Sequence, residues 1–473
     1  MSEAQSSSAN TSVDDLYAEA EYWHVNTGDE TIHAKRVGGR WRTIKWIAHS
    51  FWLVYFLGPY LRWGDRQAVL FDIPERQFHI FSLTILPQDF WMLSLLLLFF
   101  AILLAVVTAL AGRVWCGYFC FQTVWTDLYT LIEDRLEGAP PKRRALDNAP
   151  WGTRKVAIKR AKHVLWLLIA ITTGISFVAW FTDALALWSG LLSLQAHPVA
   201  WTSIGMFTAG TYVLAGWMRE QTCFWLCPYA RLQGVMCDAQ AILPTYDHHR
   251  GEPRGRMKRG ATNPDNGDCI DCEQCVAVCP TGIDIRHGRQ EGCITCALCI
   301  DACDTVMKKV GKPTGLIRYA SLEEMKGATV KPFFKRGRVW IYSGIMIAAL
   351  IGIAFGLTTV APLELKVLRE RQPLFVLQSG CSIQNKYTLK VLNKTPEDMD
   401  VTVSAKGPSG LVLVDAGRTI KARAGKVTPA TFFVRVPGKN LESDTEPLTF
   451  CIESVSSAEV TAARDTMFAG PRR

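Results

Sequence analysis

The first 23 residues lack lysine and arginine, and they contain no apolar run of the kind found in a signal peptide. A cleavable signal peptide is therefore not evident, and we expect the N-terminus to stay in the cytoplasm. The chain also lacks the charge pattern of a nucleic-acid-binding protein. Its formal net charge of +9 comes from basic residues that cluster beside apolar runs. We expect no nucleic acid among its partners.

The 15 cysteines lack the even spread of a secreted disulfide framework. Eight of them fall within 35 residues, and four more form two CxxxC pairs next to apolar runs. A chain of 473 residues buries a sufficient core without disulfide staples. This distribution therefore predicts that most of the cysteines are metal or redox ligands.

Hydrophobic residues make up 49% of the chain and are concentrated in five runs long enough to cross a bilayer core of about 30 Å. We predict transmembrane helices at residues 43–62, 88–111, 163–182, 198–218 and 339–360. Basic residues are frequent before the first run and between the second and third, whereas 183–197 contains none. The basic segments are predicted to be cytoplasmic, and an odd number of spans then places the C-terminus outside.

The predicted fold is mixed: a polytopic α-helical membrane domain, a cytoplasmic ferredoxin domain and an outer β-sandwich. The β-sandwich is predicted from short runs of alternating apolar and polar residues that are separated by Gly, Pro and Asn turns. The predicted boundaries are 1–40 for a polar cytoplasmic segment, 41–237 for the membrane domain, 238–338 for the ferredoxin domain with its core at 260–312, 339–360 for the fifth span, and 361–473 for the sandwich. Residues 70–90 are placed on the outer face, as a re-entrant or interfacial stretch or a simple loop, and the role of residues 64–87 is left open.

The pattern C-x2-C-x2-C-x3-C occurs twice, beginning at Cys269 and at Cys293. In bacterial ferredoxins with two [4Fe-4S] clusters, three cysteines hold one cluster and the fourth reaches the other. The predicted ligands are Cys269, Cys272, Cys275 and Cys303 for cluster 1, and Cys293, Cys296, Cys299 and Cys279 for cluster 2. A zinc module is the alternative, but a four-ligand zinc site has no use for the third CxxC step.

The two CxxxC pairs, Cys116 with Cys120 and Cys223 with Cys227, follow the second and fourth apolar runs. On a helix, residues four apart lie about 6 Å from each other on one face. Each pair could therefore present two thiolates to a soft ion such as Cu(I), or exchange between dithiol and disulfide. The alternative is that these cysteines pack as small apolar side chains. Convergence of the two pairs would decide between these interpretations.

Cys381 and Cys451 are the only cysteines of the predicted outer domain. We expect a disulfide if the strands bring their Cα atoms within about 6 Å, because the outer compartment is oxidising. An outer copper site is the alternative.

The chain resembles the CcoG, FixG and RdxA family of polyferredoxins, accessory proteins of cbb-type cytochrome oxidase. The resemblance is carried by WCGYFCFQTVWTD, CFWLCPYARLQGVMCD, YDHHRGEPRG, PTGIDIR and CIDACD, and it runs from Trp41 into the C-terminal sandwich. It implies an immunoglobulin-like periplasmic domain on a bacterial inner-membrane protein that reduces Cu(II) to Cu(I) for the oxidase copper centre. The two CxxxC pairs are then the catalytic copper site. Phe121 departs from the family, which often has proline there, as at Pro228.

The resemblance also implies partners: the membrane, a cytoplasmic or quinol electron donor, copper chaperones and oxidase assembly factors, with a second copy of the chain as a further candidate. Electrons would pass through both clusters to copper. Two alternatives remain open. One is a quinol-linked electron-transfer subunit for a periplasmic reductase, without a metal substrate. The other is a non-enzymatic scaffold for oxidase assembly, in which the clusters are structural.

Overall fold

The computed structural model describes residues 32–64, 66–74, 77–81, 83–85, 90–237, 239–256, 266–328, 332–359, 361–395, 397–455 and 460–471. The predicted polar segment 1–40 and ferredoxin core 260–312 therefore lie partly outside the described residues. The backbone divides into two compact units. The first comprises Met1–Gly58, Leu96–Val178 and Gly190–Leu350, and the second comprises Pro59–Leu95, Ala179–Ser189 and Ile351–Arg473.

Three helices in the described part of the chain are long and apolar enough to cross a membrane. They are Trp91–Ala111, Thr153–Ala179 and Gly337–Thr359, and they overlap the predicted spans 88–111, 163–182 and 339–360. Few side chains of the first and third helices are buried. Exposed leucines, isoleucines and phenylalanines at this density are typical of a helix whose surface meets lipid.

The other two predicted spans are helical but interrupted. Residues 43–62 form the helices Arg40–Ser50 and Leu53–Leu57, followed by a 3₁₀ turn that contains Pro59. Residues 198–218 form the α-helix Pro198–Thr211, which continues as a π-helix over Tyr212–Met218. The total of five spans therefore remains a prediction.

A buried ion network joins the helices of the first unit around Glu133. This carboxylate pairs with Arg219 at 2.6 Å, Arg143 at 3.3 Å and Lys162 at 3.4 Å. A buried charge is tolerated when several partners surround it, so the network fixes the relative positions of these helices. The shorter helices are Val114–Tyr118, Phe121–Leu136, Pro140–Asn148, Ala184–Leu192, Pro228–Met236, His248–Gly251, Gln274–Ala277, Leu298–Lys309 and Leu322–Met325.

The ferredoxin region repeats its backbone as well as its sequence. Asp271 and Glu273 in the first cysteine motif, and Thr295 and Ala297 in the second, have φ angles of 52, 55, 57 and 59°. Each pair occupies the same positions relative to its first cysteine. Left-handed residues within such turns create concavities of backbone N–H groups that bind anions, which suits sulfide and thiolate. An antiparallel pair of strands, Leu243–Tyr246 and Ile317–Ala320, flanks the motifs.

The stretch after the first predicted span folds into short strands and is not a simple loop, while its placement relative to the membrane remains a prediction. Arg62–Trp63 pairs with Arg66–Gln67, and a three-stranded antiparallel sheet follows. Its strands are Val69–Asp72, Gln77–Ile80 and Leu83–Ile85. Pairing of the strands satisfies backbone N–H and C=O groups that a loop would leave to solvent. In the sequence, the alternation of apolar and polar residues in FHIFSLTIL could have indicated these strands.

The second unit contains the predicted two-sheet sandwich. One sheet has the strand order Val412–Val414, Val427–Pro437, Ser382–Asn393 and Leu363–Arg369, with Val376–Gln378 paired to the third of these. The other has the order Thr419–Ala422, Met399–Lys406, Thr445–Ser454 and Thr461–Ala469. Tyr387 from the first sheet and Phe450 from the second meet in the core with ring centroids 5.1 Å apart.

The structure does not support a disulfide in the sandwich. Cys451 lies in the strand Thr445–Ser454, whereas Cys381 immediately precedes a strand of the opposite sheet. Both thiols are free.

Truncation of the core aromatic should destabilise the sandwich. Phe450→Ala should lower its free energy of unfolding by about 3–5 kcal/mol, because a fully buried ring leaves a cavity. Limited proteolysis of the full-length protein at rising urea concentration measures the loss. Phe450→Leu is the control and should cost much less; equal protease resistance of wild type and Phe450→Ala would contradict the assignment of the core.

Candidate functional site

The first quartet of predicted cluster ligands comes together from both cysteine motifs. It consists of Cys269, Cys272, Cys275 and Cys303. Burial raises the pKa of the Cys303 thiol to about 12, and the nearby sulfurs of Cys275, Cys269 and Cys272 act in the same direction. Cys303 lies on the helix Leu298–Lys309, which begins inside the second motif. This helix therefore carries the fourth thiol back to the first motif.

The second quartet assembles in the same crossed manner. It consists of Cys293, Cys296, Cys299 and Cys279. Burial raises the pKa of Cys299 well above its ordinary value, and Cys296, Cys293 and Cys279 raise it further. Cys279 follows the helix Gln274–Ala277 of the first motif. One thiol of each motif, Cys303 or Cys279, thus lies near thiols of the other motif.

The donor sets fit [4Fe-4S] clusters. Within the described ranges, no group of three or more His, Cys, Asp or Glu side chains is close enough to hold a single metal ion. A cubane takes one thiolate at each of its four irons, and each predicted quartet supplies four thiols at ferredoxin spacing. Burial raises the pKa of Cys275 and of Cys293 to about 12, and bound iron would supply the positive charge that stabilises the thiolates. The ligand assignment of each thiol remains a prediction.

Arg286 is a residue of this region that the motif analysis did not single out. Its guanidinium pairs with Asp284 at 2.6 Å and also contacts Asp271 inside the first cysteine motif. The positive charge of Arg286 lowers the pKa of Cys275, although burial outweighs this effect. A fixed cation here would raise the potential of cluster 1. In the sequence, only the position of Arg286 two residues after Asp284, in the segment DIR, could have indicated this ion pair.

The membrane thiols do not lie on continuous helices, in contrast to the i, i+4 geometry expected above. Cys116 lies in the helix Val114–Tyr118, and Cys120 is the extended residue that begins the next helix, with φ −63° and ψ 129°. Cys227 begins its helix in the same way, with φ −86° and ψ 103°. Each CxxxC pair therefore spans a break between helices. Phe121 and Pro228 both occupy the first helical position, so the departure at Phe121 leaves the local backbone similar.

The two CxxxC pairs nevertheless converge. Burial raises the pKa of Cys223 to about 12, and Cys120, Cys116 and Cys227 all contribute. Burial likewise raises the pKa of Cys116 to about 11, with contributions from Cys120 and Cys227. Arg113 acts in the opposite direction on Cys116, Cys120 and Cys223. The thiols of two distant segments thus lie near one another and near one guanidinium, an arrangement that the sequence could not show.

A buried amide orients the first of these thiols. The Cys116 thiol donates a hydrogen bond to Gln233 Oε1 at 2.9 Å. The Gln233 side-chain nitrogen donates to the hydroxyls of Tyr229 at 2.9 Å and Thr108 at 3.1 Å. Gln233 is fully buried, so these bonds hold Cys116 in one orientation. Nothing in the sequence distinguished this glutamine.

The first thiol pair lies directly against the loop of the second cluster quartet. A Cβ atom added at Gly117 would lie 2.4 Å from the carbonyl oxygen of Ile294 and 3.1 Å from the backbone of Cys296. The Tyr118 hydroxyl donates a hydrogen bond to the Cys296 carbonyl oxygen at 3.2 Å. Only glycine permits this approach of two backbones. Cys116 is thereby packed with Ile294 and Cys296 in one apolar cluster.

The second thiol pair contacts the same loop through an aromatic ring. Phe224, between Cys223 and Cys227, lies 3.0 Å from the position that a Cβ at Gly292 would take. Gly292 directly precedes Cys293, a predicted ligand of cluster 2. Both CxxxC segments therefore touch the cluster 2 loop. Two ferredoxin-type thiol quartets, four adjoining thiols and membrane-length helices together define a membrane-bound iron–sulfur oxidoreductase of the polyferredoxin type.

Comparison with known proteins agrees with this class. Family models match at residues 93–138 (4Fe-4S binding domain), 218–322 (4Fe-4S dicluster domain) and 353–471 (IG-like fold at C-terminal of FixG). The nitrogen fixation protein FixG of Rhizobium meliloti is 40% identical over 90% of both chains. Protein RdxA of Cereibacter sphaeroides is 43% identical over 80% of this chain and 83% of its own. The chain belongs to the FixG/RdxA family, so the predicted resemblance is confirmed.

Among solved structures, a FixG-related protein from Vibrio parahaemolyticus is 24% identical, covers 23% of this chain and 97% of its own, and has a TM-score of 0.21. The match at 353–471 confirms the predicted immunoglobulin-like domain.

The close approach at Gly117 should be sensitive to one methyl group. We expect Gly117→Ala to destabilise the cluster region by about 1–3 kcal/mol, because the added carbon overlaps the Ile294 carbonyl oxygen. Loss of the visible cluster absorbance with rising denaturant measures the effect. Gly205→Ala is a matched control, since Gly205 is also helical and has nothing within 4 Å of the added carbon. Equal behaviour of the two variants would contradict the packing of the Cys116 segment.

Proposed function

We propose that the chain is a cupric reductase, which reduces Cu(II) to Cu(I) at the site formed by Cys116, Cys120, Cys223 and Cys227. The observation that carries this proposal is the contact of both CxxxC segments with the cluster 2 loop. A thiol site in van der Waals contact with a cluster loop is placed to exchange electrons with that cluster. Thiolate sulfur is a soft ligand of the kind that binds Cu(I) well.

The chain's own residues prepare this site. Arg113 offsets the negative charge that develops when the buried thiols release their protons to bind metal. Gln233 holds the Cys116 sulfur in place, and Tyr118 and Phe224 of the two CxxxC segments are buried. When bound, the two clusters supply one-electron transfer, which matches the single electron that each Cu(II) takes up to become Cu(I).

We further propose that the N-terminus and the ferredoxin domain face the cytoplasm and that the sandwich is periplasmic, in a bacterial inner membrane. The distribution of basic residues around the apolar runs supports this orientation. The electron donor is a soluble cytoplasmic protein or a quinol. Cu(I) then passes to copper chaperones and factors that assemble a cbb-type oxidase, which accords with the family.

A second candidate is favoured by one observation. The 4Fe-4S binding domain model covers residues 93–138, whose only cysteines are Cys116 and Cys120. The four membrane thiols could then hold a third cluster, and the chain would relay electrons from quinol without a metal substrate. Iron analysis separates the two: two clusters give about 8 irons per chain and three give about 12. A loss of about four irons in Cys223→Ser/Cys227→Ser would favour the relay.

If the chain is a cupric reductase, substitution of the membrane thiols should abolish copper reduction without loss of the two predicted clusters. We expect Cys223→Ser with Cys227→Ser to keep the EPR signals of both predicted clusters and to lose copper reduction, because these thiols lie outside both quartets. The measurement is stopped-flow reduction of Cu(II) by the pre-reduced protein. A chromogenic chelator traps the Cu(I) that forms and reports its amount.

Cys381→Ser is the control for this double variant, since Cys381 is exposed in the sandwich, and it should leave the rate unchanged. Copper turnover at the wild-type rate in the double variant would remove these thiols from the copper site. Oxidase assembly that survives loss of the cluster ligands would instead favour the scaffold alternative.

A further inference from the structure

A small cavity lies between the second membrane thiol pair and the cluster 2 loop. Its volume is about 50 Å³, enough for a few waters or one small oxyanion and too small for a ring-bearing cofactor. Cys223 borders it on one side, and Pro280 and Ile294, neighbours of the cluster 2 thiols Cys279 and Cys293, border it on the other. Any charge inside this cavity therefore acts on both redox sites.

The cavity is lined by an excess of positive charge. Five cationic side chains face two acidic ones, Asp127 and Glu220. The cations are Lys35, Arg36, Arg42, Lys45 and Arg219. Among them, Arg219 is paired with Glu133, which lies outside the cavity.

Three of these cations share a single carboxylate. Asp127 is paired with Arg36 at 3.0 Å, Arg42 at 3.1 Å and Lys45 at 3.6 Å. Burial alone would raise the pKa of Asp127, but these cations hold it well below its usual range. One negative charge against three leaves a surplus of positive charge in a place where water does not screen it. Such a surplus is costly unless an anion balances it.

Two N–H donors beside this surplus have no acceptor within the residues described. Arg42 Nε and Arg219 Nη1 are both buried and make no hydrogen bond. The Arg219 side chain is only 7% exposed, and its other nitrogens are bonded to Gly216 and Glu133. Buried N–H donors of charged groups normally have a hydrogen-bond acceptor, so each of these two donors indicates a place for an acceptor from outside the described residues.

We propose that this cavity binds a small oxyanion, with Arg42 and Arg219 donating hydrogen bonds to its oxygens, and that the bound anion lowers the reduction potential of cluster 2. Phosphate matches the size and charge of the cavity and accepts hydrogen bonds from guanidinium groups. Added negative charge near an iron–sulfur cluster disfavours the reduced state, which carries one more electron. The site therefore makes the driving force for electron transfer to the membrane thiols depend on anion occupancy. This inference does not depend on copper as the substrate.

The test uses inorganic phosphate and the full-length, cluster-loaded protein at constant ionic strength. We expect saturable phosphate binding by calorimetry and, over the same concentration range, a lower midpoint potential for one of the two clusters in an EPR-monitored titration. Arg42→Gln should weaken binding by about tenfold or more, because it removes a charged donor. Arg40→Gln is the matched control: Arg40 lies on the same helix but does not line the cavity.

Arg42→Lys keeps the positive charge and the pairing with Asp127 but lacks the Nε donor, so it should bind phosphate with intermediate affinity. This variant keeps the test valid if Arg42→Gln fails to retain its clusters. Absence of saturable binding by the wild-type protein would overturn the proposal. So would equal affinities of the Arg40 and Arg42 variants, because the binding would then arise from surface charge.

Discussion

The contact between Gly117 and the carbonyl oxygen of Ile294 is the constraint on which the arrangement of redox groups depends. It brings the backbone of one CxxxC segment against the loop that carries the cluster 2 thiols. Any side chain larger than that of glycine would increase the separation of these two backbones. The hydrogen bond from Tyr118 to Cys296 fixes the same contact. Electron transfer between two sites depends steeply on their separation, so this contact is the structural basis of the proposed electron transfer between the cluster and the thiols.

Buried charge is the second organising feature. Glu133 and Asp127 lie on the same helix, Phe121–Leu136, and each collects several cations from other segments. Burial of so many ions is unfavourable unless each one is paired, which ties the helices to one arrangement. At Glu133 the carboxylate is surrounded and its oxygens are bonded. At Asp127 the cations exceed the carboxylate, and the surplus lies where it can act on the redox sites.

Prediction from the sequence succeeded where the pattern was local. The repeated C-x2-C-x2-C-x3-C spacing indicated a ferredoxin with two clusters, which the match to a 4Fe-4S dicluster domain confirms, while the crossed ligand sets remain a prediction. The alternating runs after residue 361 indicated the sandwich. The short strands between residues 62 and 85 were not predicted, because strands of two to four residues have too little alternation to be distinctive. Prediction also failed to foresee the helix break inside each CxxxC pair, since a spacing of four suggests one helix face.

The sequence by itself determined which chemistry is available: eight thiols at ferredoxin spacing, four more at the ends of apolar runs, and apolar helices of membrane length. These are properties of neighbouring residues, and spacing along the chain expresses them directly. Only the tertiary structure decided that the two CxxxC pairs meet, that they touch the cluster 2 loop, and that surplus positive charge lies between them. Cys116 and Cys223 are more than a hundred residues apart, and the packing that joins them depends on glycines and buried ions scattered through the chain.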